Sequence, residues 1–352
     1  MNTRHSRRTF LKTASGLMLA PSLGLATRPS LAAAACPDVI VGTSGGDYEN
    51  QLEANVGRLI KAQGGNVTYA TADQITRMTK MRAEKNSRHG SMDVTCMADV
   101  DMYDMNAAGL LAPATDAAVP NLVNTFEQFR KPYAIPHIFS AMVIIYNPEK
   151  FPTPPDSFNA VLDPRVKGRI GLTDILFHYN AMMGALASGD KTGSLDSGMK
   201  FLRELKKNQP KVYPSNETTA AALKSGEVWI TCMWKARAIQ WKKAGLPVAF
   251  SFPREGAVTA IFDAAVPKNS QAAACGFNYL NAMLDPRAQR GFAETMGYAP
   301  TVRNAALPPA LQQQVGFTDA ELAKLLKIDY AKVAAQKPGL LDYWNQDFKV
   351  GL

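Results

Sequence analysis

The sequence predicts an α/β chain with a largely parallel sheet covered by helices on both faces. Three observations predict it. Strand-like and helix-like segments alternate from residue 38 onward, and the first strand runs into a Gly-rich turn that opens a helix. The third is length: 352 residues exceed a modal domain, which favours two cores over one. With 46% hydrophobic and 20% charged residues the chain is globular in composition, not disordered or fibrous. It has no run of 18 apolar residues, which excludes a conventional transmembrane helix.

Asp38-Val39-Ile40-Val41-Gly42 is a β-branched strand that stops at Thr43-Ser44-Gly45-Gly46-Asp47-Tyr48. A helical pattern covers residues 51–63, and Gly64-Gly65 closes it. Val67-Thr68-Tyr69-Ala70 is the second strand, residues 72–85 a helix, and residues 92–97 the third strand. Ligands of such sheets lie beyond the carboxyl ends of the strands, where the loops at 43–48 and 98–101 fall. The apolar run at 138–147 is too short to cross a bilayer and fits a buried strand. Pro152, Pro154, Pro155 and Pro164 punctuate the stretch after it. A second series follows: a strand at 169–173, a helix from Phe177, a helix at 196–208 and a strand at 228–233. Another strand is expected at 257–266, with helices at 271–283 and 286–296. The tail, 318–352, reads as one or two surface helices ending at Trp344.

Residues 1–35 carry Arg4, Arg7, Arg8, Lys12 and Arg28 and no acid, leaving 34 basic against 30 acidic residues elsewhere, or +4 of the total +9. Most of the apparent basicity belongs to a leader, which weakens a nucleic-acid reading. Ser6-Arg7-Arg8-Thr9-Phe10-Leu11-Lys12, a mild apolar stretch and Leu31-Ala32-Ala33-Ala34-Ala35 have the layout of a removable secretory signal. The paired arginines mark the twin-arginine (Tat) route. Cleavage near Ala35 would put the mature chain in the periplasm. Cys36 follows alanines, so acylation there stays open, although the usual Leu is missing three positions before it. Cys36, Cys96, Cys232 and Cys275 allow three complete pairings. Cys96 and Cys232 sit in strand-like runs and are expected to be buried free thiols.

Four segments in order resemble a family. They are Thr43-Ser44-Gly45-Gly46-Asp47-Tyr48; Tyr133-Ala134-Ile135-Pro136 with Tyr146-Asn147; Pro164-Arg165-Val166-Lys167-Gly168-Arg169-Ile170-Gly171-Leu172-Thr173-Asp174; and Met296-Gly297-Tyr298-Ala299-Pro300-Thr301. Together they are similar to the extracellular solute-binding proteins of bacterial ABC importers, type II periplasmic binding proteins, in the branch of polyamine and ferric-iron receptors. The resemblance implies two α/β lobes joined by two crossing strands as a hinge, with ligand in the cleft. Lobe one would be 36–137 plus 260–305, lobe two 138–259, and 306–352 a C-terminal helical segment.

Polyamine binders hold amines with carboxylates and aromatic rings. The resemblance places their acidic pair after the first strand of lobe two on Ile175 and His178, with Asp174 the surviving acid nearby. Asp263 is kept, but the Trp two positions earlier is Ile261, and a polar–aromatic pair falls on Ala98 and Val100. Trp234 matches a pocket aromatic, and Lys235 and Arg237 follow where neutral residues are usual. A cleft that loses acids and gains bases suits an anion such as a carboxylate or phosphonate. The candidate contacts are Ser44, Gly45, Gly46, Tyr48, Asp99, Asp174, His178, Trp234, Lys235, Arg237 and Asp263, with Tyr298 in a lesser part. Each also has a structural reading: Gly45 and Gly46 as a turn, Asp99 and Asp101 as helix caps, Asp263 as a hinge brace, Lys235 and Arg237 alternating on a solvent-facing side. Binding of a polyamine through Asp263 and Asp174 is the alternative. The adjacent tyrosines of the ferric branch are missing.

Nothing matches G-x-S-x-G, H-E-x-x-H, a P-loop or a dinucleotide fingerprint, so no enzyme is expected, nor any cofactor or metal. The expected partner is a permease in the inner membrane, not nucleic acid, with the receptor a monomer. The rival classes are a periplasmic enzyme and a sensor-coupled receptor on the same scaffold.

Overall fold

The computed structural model describes residue 36 and residues 38–352; the leader falls outside the described residues. β1 (Asp38–Thr43) pairs in parallel with β2 (Asn66–Thr71) and β3 (Val94–Ala98). The turn after β1 needs glycine at Gly46, whose φ is 75°, a conformation that costs other residues dearly. The helix after it begins four residues earlier than the pattern implies. α1 (Asp47–Leu52) passes through a wide π turn at Glu53–Gly57 into α2 (Arg58–Ala62). α3 (Gln74–Ala83) is capped by Asp73, whose carboxylate accepts from Thr76 N, and α4 (Asp99–Ala107) follows β3 directly.

β4 (Ile135–Tyr146) is buried at every position, as its mainly apolar sequence favours, with His137 and Ser140 the polar residues buried within it. Its first half pairs with β9 (Thr259–Ala265), and its second half with β7 (Ile230–Trp234) and β8 (Ala249–Ser251). β5 (Ile170–Thr173) and β6 (Lys211–Tyr213) extend the β7 side in parallel, and β10 (Ala299–Pro300) pairs with the start of β4. The main order is β2-β1-β3-β9-β4-β7-β5-β6, so β4 carries the chain from one parallel set into the other. β9 closes the first set antiparallel to β3.

α5 (Phe177–Ala187) is buried on all sides, and α6 (Leu195–Lys206) lies hard against it. A Cβ on Gly198 would stand 2.1 Å from the Ala181 carbonyl oxygen, so only glycine permits this approach. α7 (Asn216–Lys224) starts at a Ser215 capping box, and α8 (Lys235–Lys243) grows straight out of β7. α9 (Ala273–Met283), α10 (Pro286–Met296), α11 (Pro309–Val315), α12 (Asp319–Leu322) and α13 (Tyr330–Tyr343) complete the chain.

Two readings of the sequence need correction. The tail is not a surface appendage: Trp344 and Phe348 are fully buried, stack 4.6 Å apart, and join the core built on β5 and β7 together with Val333 and Leu340. Lys235 and Arg237 do not alternate on a strand. They occupy the first turn of α8, where a 3.6-residue period sends them in different directions.

Cys36 and Cys275 form a disulfide with Cα atoms 5.3 Å apart, tying the start of the described chain to α9. Cys96 and Cys232 are free and buried, and burial pushes both thiols up, Cys96 to about 11.

Candidate functional site

Strand ends and helix starts from both sides of β4 meet in a buried polar junction. β3 delivers Asp99 at the first position of α4, and β9 delivers Asp263; neither has any exposed surface. Lys131, just before β4, reaches Asp263 with its Nζ 2.9 Å from Oδ1 and 2.8 Å from Oδ2. Asp99 accepts from the Tyr179 hydroxyl of α5 and the Tyr330 hydroxyl of α13, both at 2.9 Å, and from Val100 N. The Lys131 ammonium also sits 5.3 Å from the centre of the Tyr330 ring. Trp234, at the end of β7, meets Tyr179 edge to face at 4.8 Å. Six residues from β3/α4, β9, the approach to β4, α5, β7 and α13 are thereby fixed by one network.

Burying two carboxylates around one ammonium is costly unless every charge finds a partner. Burial raises the Asp99 carboxyl above the ordinary range, against the pull of Lys131 and of its three donors. Burial likewise pushes Asp263 up to about 7, again opposed by Lys131. At both carboxylates burial and the Lys131 charge therefore pull in opposite directions, beside the rings of Tyr179, Trp234 and Tyr330.

The other expected residues take separate places. Ser44, Gly45 and Gly46 form an exposed loop. Arg77, 2% exposed, donates to Ser44 Oγ at 3.2 Å and to the Cys96 carbonyl at 2.6 Å, anchoring that loop to β3. Tyr48 points into the protein, its hydroxyl 2.9 Å from His137 Nδ1 and its ring between Phe262 and Phe292. Tyr298 packs edge-on to Phe262. Asp174 accepts from Trp344 Nε1 at 2.6 Å and from Lys349 at 3.1 Å, holding the C-terminal segment. His178 is 5% exposed with neither ring nitrogen hydrogen-bonded; burial and then the Lys337 charge hold it neutral, well below its ordinary value. Lys235 donates to the Gly316 carbonyl and lies 4.6 Å from the Phe317 ring centre. Arg237 is half-buried; its Nη1 donates to Gln240 at 3.0 Å and its buried Nε has no partner.

The structure thus brings Asp99, Trp234 and Asp263 together and sets Asp174 and Lys235 apart from them. Lys131, Tyr179 and Tyr330 complete the junction and were not singled out by sequence. Tyr179 adjoins His178 and Lys131 precedes the Tyr133–Pro136 segment, but only contacts between residues up to 231 positions apart reveal their roles. Among the described residues no group of three or more His, Cys, Asp or Glu side chains is placed to hold a metal ion, and no helix is long and apolar enough to cross a membrane.

Residues 57–319 match the family model described as bacterial extracellular solute-binding protein. The chain belongs to that family. The receptor is 26% identical over 279 residues to the spermidine/putrescine-binding periplasmic protein of Escherichia coli K12, spanning 75% of this chain and 79% of the relative. Its fold matches an ABC transporter substrate-binding protein from Bradyrhizobium japonicum USDA 110 with a TM-score of 0.77 at 19% identity, covering 89% of this chain and 99% of that one. It also matches a periplasmic binding protein from A. tumefaciens R10 in complex with agropinic acid, with a TM-score of 0.70 at 22% identity over 88% of this chain and 98% of that one. The receptor is an α/β periplasmic-binding-protein fold, and its family's role is to bind solutes outside the cytoplasm.

Proposed function

We propose that the receptor is the non-catalytic, monomeric solute-binding component of an ABC importer, exported by the twin-arginine route and working in the periplasm. Two lobes, 36–137 with 260–305 and 138–259, would close about the β4–β9 crossing, with 306–352 braced across them. The disulfide takes up the Cys36 sulfur, which supports a soluble protein over one anchored by an acyl chain on that sulfur.

The ligand we propose is a small organic anion, a carboxylate or phosphonate. One observation carries this reading: the carboxylates a polyamine would need already have cationic or hydroxyl partners, whereas Arg237, bonded to the neutral Gln240, is in no ion pair among the described residues. Asp263 is paired with Lys131, Asp99 with two tyrosine hydroxyls, and Asp174 with Trp344 and Lys349. Arg237 keeps a buried Nε with no acceptor, and neutral His178 offers an unused ring nitrogen. A guanidinium with a free N–H is a natural partner for a carboxylate or phosphoryl oxygen. Trp234 would supply a stacking face. Lys235, engaged with Gly316, would brace the C-terminal segment, leaving Arg237 as the basic contact. The exposed backbone at Ser44, Gly45 and Gly46 would close over the ligand, with Tyr48 supporting from below.

Polyamine binding remains the second reading, favoured by the proximity of two acids, Asp99 and Asp263, and by the function named for the E. coli relative. Thermal melts of mature protein against a pool of polyamines and a pool of small organic acids and phosphonates separate the two. A ligand at about 100 times its Kd stabilises by roughly 2.7 kcal/mol, which is readily seen. A shift with acids alone, lost in Arg237→Ala, is expected. A shift with polyamines alone overturns the anionic reading.

A further inference from the structure

Lys131 is held as a bound alkylammonium would be. Its Nζ lies within 2.9 Å of both carboxylate oxygens of Asp263, a second carboxylate, Asp99, raises the local negative potential, and the Tyr330 ring lies 5.3 Å away. Carboxylate oxygens and an aromatic face are the elements of a cation cage. The cage is sealed: the Lys131 side chain is 7% exposed and that of Asp263 is not exposed at all. Its walls are fixed independently of Lys131, because Tyr179 and Tyr330 hold Asp99 through their hydroxyls and β9 holds Asp263 between β3 and β4.

We infer that Lys131 is a specificity-determining residue: a tethered ammonium that fills the receptor's own amine cage and so excludes free alkylamines from the junction. A tether raises the local concentration of the lysine headgroup far above that of any dissolved amine. A second cation would also be repelled by the Lys131 ammonium already seated on Asp263. Removing the side chain beyond Cβ leaves an acid–aromatic cage with space for a primary ammonium. The inference rests on the proposed function only in taking this junction as the place where ligand is selected.

The test is chemical complementation. Mature wild type, Lys131→Ala and Lys131→Ala/Asp263→Asn are melted with increasing propylammonium chloride, and with potassium chloride at matched ionic strength. Lys131→Ala should show a saturable rise of about 2–4 °C with the amine and not with potassium, and an affinity at least about ten-fold above that of wild type. The double variant, which lacks the cage carboxylate, should not respond. No amine-specific rise in Lys131→Ala, or equal rises in all three proteins, overturns the inference. Should Lys131→Ala fail to refold in buffer, its refolding yield with propylammonium against potassium is read instead, and equal yields overturn it. None of these readouts uses the natural solute. An amine response without any anion binding sinks the anionic reading alone, while anion binding without an amine response sinks the cage alone.

Discussion

The receptor buries two lysines against aromatic rings and satisfies them in opposite ways. Lys131, 8% exposed, lies near the Tyr330 ring and is neutralised by the Asp263 carboxylate. Lys235, 6% exposed, lies over Phe317 and Phe250 and, among the described residues, has only the Gly316 carbonyl as hydrogen-bond acceptor. Burial accordingly lowers the Lys235 ammonium, and Glu321 opposes that only in part. The first lysine joins segments across the β4–β9 crossing and shapes the charge of the junction. The second ties α8 to the segment before α12 and leaves its surroundings without a buried acid. Burial alone therefore does not tell a lysine neutralised by an acid from one held by a carbonyl. The partner does.

The sharpest way to break this comparison is to remove the acid. Asp263→Ala leaves an unpaired ammonium inside the protein and should cost about 3–5 kcal/mol in denaturant unfolding. Lys131→Met/Asp263→Leu should recover most of that loss, because both charges go together. A cost below about 1 kcal/mol for Asp263→Ala would mean that water reaches Lys131.

His137 extends the comparison to a buried titratable group with no opposite charge. Burial holds its imidazole down to about 3. The unfolded chain therefore takes up the proton first as pH falls. The stability contributed by neutral His137 is complete above about pH 6.5 and is lost as pH falls towards the folded value. Between pH 6.5 and 4.5 the loss is about 2–3 kcal/mol, and His137→Gln should lack it. Equal pH slopes for both proteins in paired melts would show that His137 charges in the folded state.

Lys235→Met should be the mildest change, about 1–2 kcal/mol, since it removes a hydrogen bond and two cation–π contacts but strands no carboxylate. Solute affinity should stay within about two-fold, a ΔΔG under 0.5 kcal/mol. Isothermal titration checks this, and a larger fall in affinity would return Lys235 to the binding site.

What was legible in the sequence was local. The β-branched run of β1, the mainly apolar run of β4, and the Asp285-Pro286 start of α10 each declare themselves within about a dozen residues. Patterning and capping act between neighbours in the chain, so a sequence carries them openly. The order of short segments was enough to point to the family, and it placed Asp263 and Trp234 among the candidates. Period failed where a strand becomes a helix without a loop. Trp234 ends β7 and Lys235 begins α8, so an alternation sound for a strand misdirected Lys235 and Arg237.

Only the tertiary structure decided which charges meet. Lys131 and Asp263 are 132 residues apart, and Asp99 and Tyr330 are 231 apart. The same holds for the tail, whose exposed residues between Val333 and Leu340 suggest a surface helix until Trp344 and Phe348 are seen in the core. The sequence determined the elements because hydrophobic period and capping are short-range. The junction was decided by the crossing of β4 and β9 and the return of α13, because a buried charge is settled by whichever partner the fold brings within about 3 Å.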